Sequence, residues 1–521
     1  MSMIINTNIA SSIAQAAQAK TNAAMETAME RLSTGKRINT AADDAAGMAI
    51  ATRMESQIQG MSVAMRNAGD AKALIDTAEG AQDEITNVLQ RMRELSVQAA
   101  SDTNVGFERV NLQTEVTQLI AEIDRIATQT TWNDQALLDG TFTSKAFQIG
   151  GGANQSISVN IDSVASSAIG NYAAHSTVQL STTAGGGILA DTYTVVGPEG
   201  STSITTSAGD SAKEFAADVN AVTASTGVKA TAVTKLKLHS LSAADTLALT
   251  INGTSTANVA ITSTTDLRGL MDAINAKSGT TGVTATLFGG SNAALELVDA
   301  DGDDIAISLQ AATDATEIEV AALDRNGALA DSTAGTDDLN VKLVDTGGTA
   351  AAGTTAVGGN LIVTGQVSLN SYGAFNVQVA NDGADYDETG AGVVVADGEF
   401  FGDGDGGATS TTNAAQATVS TIDLSTRSGA ESALAILDGA MDKINSARGE
   451  LGAISNRLDY TISNLTNIKV NLEASKSQIE DADFAVETSN LTKSQILSQA
   501  ATAMLAQANA SKQSVLSLLQ G

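Results

Sequence analysis

Side chains able to cut, transfer or coordinate are scarce in these 521 residues. There is no cysteine, so no thiolate nucleophile, thiolate metal site or disulfide is available. The two histidines, His175 and His239, stand far apart in strand- or loop-like surroundings, and no H-E-x-x-H pattern exists. A zinc peptidase or a Ser-His-Asp hydrolase needs a denser set than this. Both histidines therefore read as surface or packing residues. The run Asp299-Ala300-Asp301-Gly302-Asp303-Asp304 superficially follows a calcium loop. Its sixth position is Asp304 instead of glycine, and its twelfth is Gln310 instead of a bidentate glutamate. It reads as an acidic turn between strands, as does Gly402-Asp403-Gly404-Asp405-Gly406. No metal and no cofactor are expected.

Composition points away from a deep globular core. The chain is 43% hydrophobic but only 3% aromatic, and Pro198 is its one proline. Proline breaks helix interiors, so its scarcity fits long uninterrupted helices. The net charge of −31 lies mostly in the middle, at Asp299, Asp301, Asp303, Asp304, Asp337, Asp338, Asp382, Asp385, Asp387, Asp403 and Asp405. Nucleic acid and anionic membrane surfaces would be repelled. Met1 to Ala19 lacks a basic n-region and a continuous apolar h-region. No stretch approaches the ~20 apolar residues that span a bilayer. An extracellular role would require export without a cleaved signal.

The two ends match each other in pattern. Ile5, Ile9, Ile13, Met25, Met29 and Leu32 mark a weak stripe that Gly35 stops, and Thr40 with Asp43 reads as an N-cap for the next helix. Met54, Ile58, Met61, Met65, Ala68, Ile75, Ala78, Ile85, Leu89, Met92 and Ala99 then share one heptad frame, interrupted by Lys72, Gln82 and Ser96. A strict seven-residue repeat keeps one seam facing a partner helix, and this run would reach ~70 Å. A third helix, about Gly106 to Thr128, turns Val110, Val116, Leu119, Ile120, Ile123 and Ile126 inward, and a turn and short hairpin follow. Near the other end, Leu434, Leu437, Met441, Ile444, Leu451, Ile454, Leu458, Ile462, Leu465, Leu472 and Ile479 repeat the heptad. The frame restarts at Leu497, Ala501, Met504, Ala508, Val515 and Leu518. A terminus this apolar needs cover.

The middle is β-rich with a few short helices, and it contains a duplication. Ser211 to Asn220 followed by Thr226 to Ala232 repeats as Thr265 to Asn275 followed by Thr281 to Leu287. The offset is 55 residues, from Asn220 to Asn275 and again from Gly227 to Gly282. Each copy reads as strand, helix, glycine turn, strand. The expected fold is multidomain: an all-α coiled-coil bundle of the N- and C-terminal regions, with a β-rich (α+β) central outgrowth. Its divisions fall at 1–40, 41–175, 176–310, 311–415, 416–480 and 481–521. The outgrowth is rich in Ser and Thr, and those facing outward could carry O-glycans.

These motifs resemble a known family. Ile5-Asn6-Thr7-Asn8, Leu32-Ser33-Thr34-Gly35-Lys36-Arg37-Ile38-Asn39 and Ala41-Ala42-Asp43-Asp44-Ala45-Ala46-Gly47 closely resemble the N-terminal region of bacterial flagellin. Asn456-Arg457-Leu458, Ile479-Glu480-Asp481-Ala482-Asp483, Leu505-Ala506-Gln507-Ala508-Asn509 and Val515-Leu516-Ser517-Leu518-Leu519 resemble its C-terminal region. The resemblance covers about residues 1–175 and 415–521. It implies a non-enzymatic filament subunit, exported unfolded through a type III channel and polymerised outside the cell. The partners it implies are copies of the chain in a helical homopolymer, the filament cap, hook-junction proteins and an export chaperone on the C-terminal helix. It assigns the terminal helices to an inner tube packed by Ile5, Ile9, Ile13, Met25, Met29, Leu497, Met504, Leu505, Val515 and Leu518. It gives the surrounding coiled coil to Met54, Ile58, Met61, Met65, Ile75, Ile85, Leu89, Leu451, Leu458, Leu465 and Leu472.

Gln90 to Gln98 resembles the helix segment that Toll-like receptor 5 recognises in many proteobacterial flagellins. Gln90, Arg91, Leu95, Gln98 and Glu115 form the candidate recognition set, and Met92 and Ser96 depart from the pattern. The competing reading makes Leu89, Met92 and Leu95 packing residues and the charges a filament contact. For the whole chain, a hook–filament junction protein with similar ends is the nearest alternative. A metal enzyme carried on a filament scaffold and a chemoreceptor-like coiled coil fit less well, for want of His and Cys and of a membrane span respectively.

Overall fold

The computed structural model describes residues 7–101, 103–181, 188, 190–311, 316–329, 340–344, 356–357, 360–379, 393–395, 400–401 and 410–520, with backbone alone at 179, 340, 356–357, 393–395, 410 and 512–520. Ile5, the side chains of Val515 and Leu518, and the Gly402–Gly406 run lie outside the described residues. The helices are α1 (Ile9–Thr34), α2 (Ala45–Ala100), α3 (Gly106–Gln129), α4 (Ala212–Ala221), α5 (Thr223–Thr226), α6 (Arg268–Asn275), α7 (Ser278–Thr281), α8 (Arg427–Glu480) and α9 (Phe484–Gln520).

Local chemistry sets the helix ends. The side chain of Asn8 accepts from the Ser11 N–H at 3.1 Å to start α1. Gly35 ends it in the left-handed region at φ +71°, its N–H bonded to the Arg31 carbonyl. Thr40 does not cap α2, contrary to the sequence expectation. Thr40 and Asp43 close a turn of their own, with Thr40 N–H donating to Asp43 Oδ2 at 2.9 Å and Asp43 N–H to the Thr40 carbonyl at 3.0 Å. That occupies the Asp43 carboxylate, so Asp44 caps α2 by accepting from the Gly47 N–H at 2.9 Å. Val110 also departs from expectation: it is exposed on α3. It lies six residues before buried Val116, which places it about 120° round the helix from the packed stripe.

The chain forms two compact units. The first comprises Met1–Thr77, Thr143–Asn160 and Glu450–Gly521. In it α1 runs against α9, and the early part of α2 runs against the late part of α8. A hairpin of strands Lys145–Gln148 and Ser156–Val159 adds to it, tied to α2 where Asn67 Nδ2 donates to the Gln148 carbonyl at 3.0 Å. The connectors between helices are clasped together. Arg37 N–H donates to the Glu480 carbonyl at 2.6 Å, Ala482 N–H to the Gly35 carbonyl at 2.9 Å, and Lys36 pairs with Glu480 at 2.5 Å.

The second unit comprises Ala78–Phe142 and Ile161–Gly449. Its helical part buries Ile85, Leu89, Met92, Leu95, Val116, Ile123, Leu437 and Ile444. Its β part holds a nine-stranded, a seven-stranded and a four-stranded sheet among the described residues. The strand Lys229–His239 is central. It pairs antiparallel with Leu295–Asp299, Glu317–Leu323 and Gln366–Ser371. Strands from both sides of residue 310 share the two larger sheets.

The duplication is visible atom by atom. Asn220 in α4 donates to the Ala230 carbonyl and accepts the Ala230 N–H, each at 2.9 Å. Asn275 in α6 does the same to Ala285, each at 2.8 Å. An amide side chain offers one donor and one acceptor, so each asparagine docks its helix onto the next strand. Gly227 and Gly282 both sit at positive φ, +72° and +77°. Each copy then feeds a different core: Phe215, Val219 and Val228 one, Leu270, Ile274 and Val283 the other.

Candidate functional site

Large apolar side chains on α1 and α9 face outward in the single chain. Ile9 is 61% exposed, Ile13 65% and Met504 65%, and Met29, Leu497, Phe484, Val486 and Ile496 are also exposed. Met25 and Leu505 are half-buried. The buried residue of α1 is Ala28. The contact between α1 and α9 mixes alanine and polar groups with half-buried Met25, Leu32, Leu491 and Leu505. Gln18 Nε2 donates to Thr502 Oγ1 at 3.4 Å, Ser498 Oγ to Asn22 Oδ1 at 3.2 Å and Asn8 Nδ2 to the Ala508 carbonyl at 3.4 Å. Along α9, Phe484, Thr488, Thr492, Ile496 and Leu497 line a shallow groove of about 750 Å³. Phe484 and Ile496 fall off the frame of Leu497, Ala501 and Met504, so a heptad reading passes over them. A second apolar face on α9 would have been the signal.

The seam between α2 and α8 has the reverse character. In the first unit Ile58, Met61, Leu451, Leu458 and Leu465 are buried, and Met54, Met65 and Leu472 are half-buried. Ile75, also of the first unit, and Ile85 and Leu89 of the second are fully covered. Polar pairs flank the seam. Glu55 bonds to Lys476, Thr466 Oγ1 donates to Met65 Sδ at 3.3 Å and Lys72 pairs with Asp459 at 2.7 Å. In the second unit Asp83 pairs with Arg448 at 3.2 Å and Arg93 with Asp438 at 2.8 Å. The residue numbers of all five pairs add to the same total, so one antiparallel register holds within each unit. The Lys476 ammonium beside Glu55 holds its carboxyl below the usual range, and Asp459 holds the Lys72 ammonium above its own. Gln82 is the exception in the seam: it is 0% exposed, and neither Oε1 nor Nε2 has a partner.

Of the recognition set, Gln90, Arg91, Gln98 and Glu115 are exposed. Arg91 Nη2 meets Glu115 Oε1 at 2.9 Å across α2 and α3. Leu95 is 2% exposed and packs inside. Asp299 to Asp304 forms a turn between the strands Leu295–Asp299 and Ile305–Ala311, with Gly302 at φ +83°. Among the described residues no group of three or more His, Cys, Asp or Glu side chains is placed to hold a metal. No described helix is long and apolar enough to cross a membrane. His239 lies 3.3 Å from Glu319 on the nine-stranded sheet. Burial, with help from Arg325, lowers the His175 imidazole below its ordinary range.

Comparison with known proteins identifies both end regions of the chain and its duplicated segments. The bacterial flagellin N-terminal helical region matches residues 5–143, and the C-terminal helical region matches residues 434–519. The flagellin hook IN motif matches twice, at 193–245 and 246–298, over the duplicated segments. The chain is 36% identical to the B-type flagellin of Pseudomonas aeruginosa, with 100% of each covered. It is 32% identical to flagellin A of Helicobacter pylori, again over 100% of both. A solved structure of FliC from Burkholderia pseudomallei covers 74% of this chain and 99% of its own at 18% identity, with a TM-score of 0.28. With both end regions matched and full-length relatives above 30% identity, the chain belongs to the bacterial flagellins.

Proposed function

We propose that this flagellin, a structural subunit of the bacterial flagellar filament, polymerises by burying between copies the apolar faces that α1 and α9 leave open in one chain. The observation that carries the reading is the outward display of Ile9, Ile13 and Met504 on helices whose buried residues, among those described, are Ala28, Glu487 and Ser494. At ~25 cal/mol per Å² of apolar area, a few hundred Å² per subunit is worth several kcal/mol, before association costs are subtracted. Ile5, Val515 and Leu518 belong to the same inner-tube set, and the α2–α8 seam builds the surrounding tube. On this reading the segments 1–40 and 481–521 line the inner tube, 41–175 and 416–480 the outer one, and 176–415 projects outward.

The chain does no chemistry of its own on this reading, and it needs no cofactor. It travels unfolded by the flagellar export route without a cleaved signal, with a chaperone on α9 until release. An uncovered apolar α9 is the reason a chaperone is needed. The filament cap and the hook-junction proteins are its other assembly partners. Toll-like receptor 5 meets the exposed face made by Gln90, Arg91, Gln98 and Glu115, with Leu95 supporting that face from inside. Removing residues 1–34 or 484–521 should leave a folded remainder that forms no filaments under polymerising conditions in electron micrographs. Tubes of normal length from either truncation would refute the assembly reading. Arg91→Ala monomer should lose receptor signalling in reporter cells, and unchanged signalling would refute the recognition reading.

A further inference from the structure

Two stretches of chain cross between the large sheets side by side. The turn 300–304 leads from Leu295–Asp299 in the nine-stranded sheet to Ile305–Ala311 in the seven-stranded one. Gly365 leads back from Leu361–Thr364 to Gln366–Ser371. Ile305 is paired with Val363, so one step further along the register Asp304 neighbours Thr364. Thr234, opposite Asp299 in its own pairing, completes the corner. A Cβ on Gly365 would lie 2.2 Å from Thr234 Oγ1, so the second crossing is pressed against that hydroxyl.

Three oxygens at this corner are buried without a hydrogen-bond partner: Asp304 Oδ1, Thr234 Oγ1 and Thr364 Oγ1. The two threonines are 0% and 1% exposed, while Asp304 as a residue is half-buried. The Thr364 hydroxyl is near enough to favour the charged form of Asp304, against the effect of burial. The other charges facing the corner come from α4 and from the turn itself. Glu214 and Asp303 are both negative and disfavour a further negative charge. Lys213 is taken up by Asp303 at 2.8 Å and Asp301 at 3.5 Å. Asp299 accepts the Asp301 N–H at 3.0 Å, and burial raises its own carboxyl above the usual range. Burial above all, then Glu214 and Asp303, push the Asp304 carboxyl up to about 7. Either form can bond a threonine hydroxyl, the acid by donating and the carboxylate by accepting; with Lys213 taken up by Asp303 and Asp301 and with Glu214 close by, burial favours the neutral acid.

The turn also joins the two repeated modules. The Lys213 N–H at the start of α4, in the first copy, donates at 3.0 Å to the Gly302 carbonyl, in the turn that follows the strand paired with Val283–Leu287 of the second. We propose that Asp304 is a protonation-controlled latch at this corner. As the neutral acid it donates to a neighbouring hydroxyl and holds the two crossings closed. On losing its proton to solvent it draws water in and loosens the join between the modules. This goes beyond assembly and does not depend on it. In an unfolded chain the same aspartate titrates near 3.8. Between that value and about 7 the closed corner keeps a proton that the open one has lost, so its stability falls as pH rises through that window and levels off above it.

Amide hydrogen exchange on the full-length monomer, corrected for intrinsic exchange, tests the latch. The opening equilibrium at 299–306 and 361–367 should increase on the order of hundredfold between pH 5 and pH 8, because one proton leaves on opening. Asp304→Asn should remove most of that dependence, and Asp299→Asn, which removes the other raised carboxyl of the turn, should leave most of it in place. A flat wild-type profile, or dependence that mostly survives Asp304→Asn or mostly vanishes with Asp299→Asn, would overturn the proposal. If the Asp304→Asn chain does not fold, the Asp304 carboxyl carbon can be titrated in the wild-type protein by nuclear magnetic resonance. A midpoint above 6 supports the latch and one below 6 overturns it.

Discussion

The helix pair α2–α8 and the helix pair α1–α9 are both antiparallel and both rich in Ala, Ile, Leu and Met, yet they end in opposite states. Along α2 and α8 the heptad side chains are buried or half-buried, with Ile75, Ile85, Leu89 and Leu458 fully covered, while off-frame Val63, Tyr460 and Val470 are exposed. Along α1 and α9 the large apolar side chains are exposed or half-buried, and the buried residues, among those described, are Ala28, Glu487 and Ser494. Small and polar residues bury little apolar area, so that pairing gains little on its own. The first pair is finished within one chain. On the proposed reading, the second is finished only by copies. Propensity alone would make both equally stable helices; what separates them is which face carries the bulky residues.

That contrast can be broken in several ways. The largest effect is expected in the closed seam. Leu89→Ala should destabilise the monomer by about 3 kcal/mol, through lost transfer energy and a cavity, read as a drop in the thermal unfolding midpoint. An unchanged midpoint would mean that the seam is not a core. On the open pair, Ile13→Asp with Met504→Asp should shift monomer unfolding by less than about 0.5 kcal/mol. The same pair of changes should raise the critical concentration for polymerisation at least about tenfold, equivalent to about 1.4 kcal/mol. A large loss of monomer stability would show that these side chains are already packed.

Gln82 sharpens the comparison, because it is a polar residue fully inside the closed seam with both amide atoms unpaired. An unsatisfied buried polar group is costly, so Gln82→Leu should stabilise the monomer by about 1 kcal/mol, read from the urea midpoint. Destabilisation would indicate that the amide has a partner. The smallest effect concerns the flank of the seam. Glu55 is held below its usual 4.5 first by Lys476 and then by Gln59, so its contribution is present above 4.5 and is lost as pH falls through the lowered value. Lys476→Met should flatten the acid side of the stability profile. An identical acid limb in both proteins would remove this pair from the account.

Helices were more legible in the sequence than sheets. The third helix was expected at about Gly106 to Thr128 and is found at Gly106–Gln129, because a 3.6-residue pattern and its caps are local. The 55-residue repeat was legible because matching residues make matching bonds, as Asn220 and Asn275 do. Sheet partners were not legible. Strand Gly170–His175 pairs with Gln366–Ser371, and nothing in either strand names the other across that separation. Some side-chain placements were also missed. Val110, expected inward on α3, is exposed, and the cap of α2 fell to Asp44 once Asp43 was spent on Thr40.

The most direct test of the division between the two helix pairs is amide hydrogen exchange along the whole chain, measured on monomer and on filament. The backbone of α1 and α9 should exchange quickly in the monomer and become protected by orders of magnitude in the filament, while the α2–α8 seam is protected in both. Equal protection of α1 and α9 in the two states would contradict the claim that only other copies complete them.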